Sequence, residues 1–275
     1  MIGRSNAWRL VIDGAMNGAE NMARDEALAV CAGSGGLAVL RAYSFHPSTI
    51  TVGRFQRVPA GIDLDACKLQ DVDIVRRPTG GRAILHVNDF TYSVAMPSSG
   101  SGVSERDNVF GIVASAILAA LENLGIKAQE VSRGKGARGG GEWCFESVFG
   151  VDLEWRGRKI CGSAQRSMAD CILQHGSLFL REPDAGVRSI VTSSQPERWG
   201  EAPFVSIGEA SGRDVSWEQV LEAFQTGFES ALGIVLKPDG LTPGEEELCE
   251  RLAAEKYRDN EWLWHPERTS HVRLL

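Results

Sequence analysis

Between residues 105 and 124 the sequence carries a long apolar stripe at helical spacing. Val109, Ile112, Val113, Ala116, Ile117, Ala120, Leu121 and Leu124 fall on one face. A helix with so wide an apolar face needs a second layer to cover it. Ser104 reads as its N-cap and Gly125 as its stop. The cover on offer is a set of short β-like runs at 8–12, 37–43, 49–53, 72–76, 91–95, 151–155, 158–163 and 171–180. The turn His46-Pro47-Ser48 separates two of them, and Arg156-Gly157 reads as a tight hairpin turn between two others. A second helix is expected over 18–31, with Asn17 as its cap and Glu20 three residues on. Ser216-Trp217-Glu218-Gln219 opens a third, which stops at Gly233, and Thr242-Pro243-Gly244-Glu245 opens a fourth that runs to about residue 257. The order lacks the regular βαβ rhythm of a doubly wound sheet. The expectation is a mixed α/β (α+β) fold, one catalytic-size unit over 1–275 with a helical segment at about 216–275.

Composition narrows the function classes. The net charge of −7 weighs against a nucleic-acid binder, which needs a basic footprint. No apolar run approaches the ~18 residues of a membrane span, and the N-terminus lacks the apolar core of a signal peptide, so a cytoplasmic location is expected. The six cysteines are scattered with no Cys-x-x-Cys pair, so neither a disulfide framework nor a metal site is expected. Residues 132–141 hold five glycines in ten and read as a loop. Its cations, with those at Arg76/Arg77/Arg82 and Arg156/Arg158/Lys159/Arg166, could receive an acidic partner.

Four places could carry chemistry. Arg76-Arg77-Pro78-Thr79-Gly80-Gly81-Arg82-Ala83 follows a strand, and its glycines let backbone N–H groups face a carbonyl or phosphate while the arginines pair with anions. Read alone it is equally a plain β-turn. Lys159, before Gly162-Ser163-Ala164, could stabilise charge developing on an oxygen, or be a surface lysine. Cys144 follows the glycine-rich loop; by its residues alone it reads more readily as a buried thiol than as a nucleophile. His86 and His175 are each a general base or a hydrogen-bonded strand histidine. No Gly-x-Ser-x-Gly elbow, Walker loop or His-Glu-x-x-His motif is present.

Taken together, these segments resemble the lipoate-protein ligase A and octanoyltransferase superfamily. The resemblance rests on Trp8-Arg9-Leu10, on Asn21 to Leu28, and on Gly53-Arg54-Phe55-Gln56, which looks like an early substrate-pocket turn. It continues through Arg76 to His86, Thr91-Tyr92-Ser93, Gly157 to Gln165 and Gln174 to Ser177, in the family order. It implies a mixed, largely antiparallel sheet flanked by helices, similar to the catalytic core of biotin protein ligases and class II tRNA synthetases. It also implies that Lys159 contacts the acyl carbonyl and that the Gly80-Gly81 turn lines the same pocket, with Arg76, Arg77, Thr79, Arg82, Ala83, His86, Gly162, Ser163, Ala164 and His175 around the substrate. Cys144 stands thirteen residues before Gly157, as the nucleophile does in the cysteine-dependent octanoyltransferases. The activity implied is transfer of octanoyl from acyl carrier protein to a lysine of a lipoyl domain or glycine cleavage H protein, through a Cys144 thioester and with no cofactor. Two alternatives stay open: an ATP-dependent lipoate ligase, which would use Mg-ATP, and a non-catalytic acyl- or lipoyl-domain-binding protein. The second draws on Val87, on Asp89 and on Val148 to Asp152, where the sequence departs from the family pattern.

Overall fold

The computed structural model describes residues 6–58, 61–98, 103–132, 151–184, 190 and 204–267. In chain order these form β1 (Ala7–Met16), α1 (Gly18–Gly33), β2 (Val39–Phe45), β3 (Thr49–Val52), α2 (Leu64–Leu69), β4 (Asp73–Arg76), β5 (Ile84–His86), β6 (Asp89–Pro97) and α3 (Val103–Asn123). Then come β7 (Gln129–Ser132), β8 (Val151–Trp155), β9 (Arg158–Ser167), β10 (Cys171–Phe179), α4 (Ile207–Ser211), α5 (Trp217–Leu232), β11 (Val235–Pro238), α6 (Pro243–Leu252), a π-helical turn (Ala253–Tyr257) and α7 (Asn260–Trp264).

The long stripe does form a helix, α3, and Gly125 ends it in a left-handed conformation at φ 80°. Ser104 does not stand at the N-cap position. The helix already runs at Val103, which puts Ser104 inside the first turn. Ser216 and Thr242 do close reciprocal capping boxes on α5 and α6. Arg156 and Gly157 form the β8–β9 turn, both at positive φ (50° and 79°), as a tight right-twisted hairpin requires.

Eight strands make one sheet in the order β11-β1-β2-β6-β10-β9-β8-β7. β1 runs parallel to β2 and β11, and the other pairings are antiparallel. The cover α3 needs comes from this sheet and from α5. Val113, Ala116, Ile117 and Ala120 pack with Phe224 and Phe228 over Leu40, Phe90, Tyr92 and Val94. Each such side chain taken out of water contributes about 1.5–3 kcal/mol. Helix α1 covers the opposite face, where Leu28, Ala29 and Ala32 meet Val11, Val39, Ala95 and Leu173. β6 is therefore buried on both sides. Its alternation sends Phe90, Tyr92 and Val94 to the α3 side and leaves Thr91 and Ser93 for the α1 side.

A second sheet, β4-β3-β5, stands beside α1. Thr51 pairs with Ile84 and Thr49 with His86, so β3 and β5 carry polar side chains towards the large sheet. The space between the two sheets is where the chemistry-bearing residues meet.

Candidate functional site

Helix α1 supplies the first group. Asp25 is wholly buried, and its carboxylate accepts four hydrogen bonds. Arg41 Nη1 and Ser93 Oγ donate to Oδ1 at 2.7 Å each, while Tyr43 OH and His175 Nδ1 donate to Oδ2 at 2.8 and 2.9 Å. Strand alternation explains the convergence: Arg41 and Tyr43 are two apart on β2, and Ser93 and His175 are cross-strand partners on β6 and β10. Burial works to raise the Asp25 carboxyl, but the His175 hydrogen bond and the Arg41 charge outweigh it and hold the carboxyl below its ordinary value. Burial dominates at His175 and depresses its pKa despite the pull of Asp25. A neutral His175 that donates from Nδ1 must accept at Nε2, so Thr79 Oγ1, 2.6 Å away, is the donor there. The order Thr79–His175–Asp25 thus fixes the imidazole tautomer.

A second chain of the same type faces it. His86 Nδ1 lies 2.7 Å from Asp89 Oδ2, which also accepts from Thr91 Oγ1 at 3.0 Å and Ser177 Oγ at 2.5 Å. His86 Nε2 lies 3.0 Å from Thr51 Oγ1. Phe45 stacks on the His86 ring with centroids 4.1 Å apart. Arg77 bridges the two chains: Nη1 donates to Thr51 O at 2.9 Å, and Nη2 donates to Gly80 O and Arg82 O at 2.8 and 2.7 Å. Between the two imidazoles is a cavity of ≈ 20 Å³, walled by Met22, Tyr43, Phe45, Ile84, Thr91, Ala164 and Gly176 together with Thr51, Arg77 and the histidines. That is room for about one water molecule.

Of the residues singled out in the sequence, Arg77, Thr79, His86, Ala164 and His175 come together here. The Gly80-Gly81 turn lies against them: a Cβ on Gly81 would meet Arg77 Nη2 at 2.7 Å and Ala164 Cβ at 3.9 Å. Gly162 and Ser163 continue β9 opposite Ser177 and Gly176, and Ser163 Oγ shares a hydrogen bond with Tyr92 OH at 2.8 Å. Ala83 packs instead into the small-sheet core with Ile50 and Val52. Arg82 is half-buried and accepts Arg77 at its carbonyl. Lys159 is buried, with its ammonium 2.8 Å from Asp152 Oδ1 on the neighbouring β8. Cys144 and the glycine-rich segment from 133 onwards lie outside the described residues.

Arg76 faces away from the cavity. Its guanidinium donates to the carbonyls of Gly53, Arg54 and Gln56 at 2.7, 3.0 and 2.8 Å. It also donates to Trp262 O and Leu263 O, and Trp262 Nε1 returns a bond to Arg76 O at 2.9 Å. One turn along α1 from Met22, Glu26 gathers a further cluster. Lys256 Nζ and Tyr257 OH both lie 2.6 Å from its Oε2, and Arg166 Nη1 lies 3.4 Å from Oε1.

Asp25, Arg41, Thr51 and Glu26 were not anticipated from the sequence, where Asp89 stood out only as a departure from the family pattern. A signal was available: Asn21, Asp25 and Glu26 occupy core-facing turns of a helix whose other buried positions are apolar.

Comparison with known proteins bears on this site. The family model described as lipoyl protein ligase A/B catalytic domain matches residues 17–229. Octanoyltransferase LipM of Geobacillus kaustophilus (strain HTA426) is 35% identical over 271 residues, covering 93% of this chain and 97% of its own. Octanoyltransferase LipM of Staphylococcus aureus (strain NCTC 8325 / PS 47) is 34% identical over 275 residues, covering 94% and 99%. Among solved structures, lipoate-protein ligase A bound with ATP superposes with a TM-score of 0.79 at 25% identity over 96% of this chain and 99% of its own. A T. acidophilum protein with bound lipoic acid gives 0.77 at 26% identity over 96% and 99%.

Proposed function

Because the chain belongs to the lipoyl protein ligase A/B catalytic domain family, we propose that it is an octanoyltransferase that takes octanoyl from acyl carrier protein and passes it to a lysine of a lipoyl domain or of glycine cleavage H protein. The observation that carries this reading is the 34–35% identity with LipM octanoyltransferases over nearly the full length of both chains.

The Cys144 thiolate attacks the donor thioester carbonyl, and the carrier's thiol leaves as the acyl-enzyme forms. The acceptor lysine, as a free amine, then attacks that carbonyl, Cys144 leaves, and the amine's proton is lost. Thioester to thioester is near isoenergetic and thioester to amide runs downhill, so no nucleotide is needed. Lys159 and backbone N–H groups at Gly80 and Gly81 stabilise the oxyanion of each step. Arg77, Thr79, His86, Ala164 and His175 shape the acyl site, which must widen by side-chain movement, since ≈ 20 Å³ does not hold eight carbons.

The likeness to the ATP-bound ligase favours a second reading, in which the chain activates the free acid with Mg-ATP. One experiment separates the two. The protein is incubated with octanoyl-acyl carrier protein without ATP and its intact mass is measured. An octanoyl adduct that Cys144→Ala lacks is expected. No adduct, with transfer appearing only on addition of free acid and Mg-ATP, would establish the ligase instead.

A further inference from the structure

Phe55 is 83% exposed, although it sits on one of the most firmly held turns in the molecule. The carbonyls of Gly53, Arg54 and Gln56 are all clamped by the buried Arg76 guanidinium. Gln56 N closes the turn on Gly53 O at 3.0 Å, and Arg54 N donates to Thr79 O at 2.8 Å. Gly53 presses so closely on the Gly80-Gly81 turn that a Cβ there would fall 1.9 Å from Gly81 O. Two residues of chain reach at most about 7 Å, so the Phe55 backbone stays beside the turn that borders the cavity. Phe55 is not among the residues that wall the cavity, and the Arg54 guanidinium lies 5.6 Å from its ring centroid.

The two chain segments that meet at this turn carry charges of one sign, although the buried Glu26 also acts on Arg54. Residues 53–58 and 77–84 contain Arg54, Arg57, Arg77 and Arg82 and no Asp or Glu, in a chain whose net charge is −7. Arg77 is turned inwards. Arg54 is half-buried over the Trp262 ring, and Arg57 is exposed; neither forms an ion pair with a carboxylate among the described residues. An apolar anchor on a rigid turn, with Arg54 beside it and the exposed Arg57 two residues on, has the composition of a binding hot spot with a steering rim.

We propose that the Arg54–Arg57 turn, with Phe55 as its anchor, is the docking surface for the acidic face of the carrier protein that delivers the acyl thioester. This rests on the transferase reading above. The cations favour the donor over the acceptor. A carrier's arm is rooted through an anionic phosphodiester, whereas the acceptor approaches with a lysine that is cationic at neutral pH. Phe55 meets the carrier's apolar surface, and Arg57 draws its carboxylates in.

The test compares Phe55→Ala and Arg57→Gln with the unaltered protein on two thioesters: octanoyl carried on acyl carrier protein, and octanoyl-N-acetylcysteamine, which has no protein to dock. The expected result is a KM for the carrier-borne substrate raised about tenfold or more by Phe55→Ala, as an aromatic hot spot gives. Arg57→Gln should raise it less and flatten its dependence on ionic strength. Arg57→Gln, outside the 53–56 turn, should use the small thioester unchanged, and Phe55→Ala should lose far less on it than on the carrier-borne substrate. Anisotropy of fluorescently labelled acyl carrier protein should show the same order of affinities, and it reads docking whether or not acyl transfer occurs. An unchanged carrier KM and affinity would overturn the proposal. So would equal losses on both thioesters, or a defect confined to the acceptor step. Failure of the unaltered protein to take octanoyl from either thioester would instead refute the transferase reading.

Discussion

Asp25→Asn is the sharpest test of how the buried polar core is wired. The carboxylate offers two oxygens to four donors: Arg41 and Ser93 on Oδ1, Tyr43 and His175 on Oδ2. Asparagine keeps one acceptor oxygen and puts an NH₂ where the other stood. If the NH₂ faced Arg41, two groups that can only donate would meet, since a guanidinium has no acceptor. If it faces Tyr43 and His175, both can adapt: the phenol turns to accept, and the imidazole moves its proton from Nδ1 to Nε2. His175 Nε2–H would then donate to Thr79 Oγ1, reversing the bond. The amide therefore settles in the second orientation, with two consequences. Arg41 loses the charge of one partner but keeps Asp13, 2.6 Å from its Nε, so the destabilisation falls at the lower end of the ~3–5 kcal/mol cost of breaking a buried pair. The His175 tautomer also switches. Urea denaturation at pH 7 should show a loss of about 3 kcal/mol, and side-chain nitrogen NMR should show His175 protonated at Nδ1 in the parent and at Nε2 in the variant. A loss under about 1 kcal/mol with an unchanged tautomer would refute the account of Asp25 as the group that fixes His175.

Three further outcomes follow from the geometry. Burial depresses the His175 pKa below the ordinary histidine value of 6.5, so below that pH the unfolded chain binds a proton the folded chain refuses; stability should be full above about pH 6.5 and fall as the pH drops, and His175→Gln should remove this part of the slope in urea titrations between pH 7 and 5. Asp25, also depressed, adds a loss of the same sign at lower pH, once its unfolded carboxyl begins to protonate near 3.8. Arg76→Lys keeps the charge but cannot span carbonyls on both the 53–56 turn and α7; it should cost about 2–4 kcal/mol in urea denaturation and speed amide exchange at Arg54 to Gln56, and unchanged exchange would show that the clamp does not hold the turn. Gly53→Ala puts a methyl 1.9 Å from the Gly81 carbonyl, against backbone that must itself move; the overpacking should cost roughly 1–3 kcal/mol or more, lowering Tm by several degrees, and an unaltered Tm would mean that the two turns are not in the contact described.

The parts of the fold that were legible in the sequence are those whose signal is periodic and local. The α3 stripe, the two capping boxes and the β8–β9 hairpin each follow from a few adjacent residues. Strand β11 and helix α7 were not legible, for the opposite reason. Four residues beside β1 become a strand because β1 is there to pair with them, and five residues near the C-terminus become a helix whose Trp262 docks on Arg76, 186 positions earlier. Ser104 shows the limit of local reading: a good capping residue marks the start of a helix only to within a residue or two. At the site, Thr79 and His175 were recognised separately, but only the sheet brings them within 2.6 Å. Asp25 stands on a core-facing turn of α1, but its role depends on four donors that three separate strands bring to it, and no local pattern announces that convergence.

The cavity shows why a count of residue types misleads here. Two histidines, an arginine and three threonines among its walls and contacts would, in a sequence, argue for an anion site. In the structure their polar atoms are spent on one another. Arg77 serves carbonyls, each imidazole holds a carboxylate through Nδ1 and a threonine through Nε2, and the ring of His86 is stacked on Phe45. A ligand entering between them finds imidazole edges and faces, phenyl and phenol rings, and the methyl groups of Ile84 and Ala164. A buried polar group that already has its partners does not compete for a ligand, whereas leaving one unpaired costs about 1–3 kcal/mol. On the acyl-site reading proposed above, this wall would therefore reject a chain bearing a hydroxyl, which would have to be buried without a free partner. Offered octanoyl and a mid-chain hydroxyoctanoyl on the same carrier, the protein should favour the first by about tenfold to a hundredfold in kcat/KM. Equal use of the two would mean that at least one of these relays opens to a ligand.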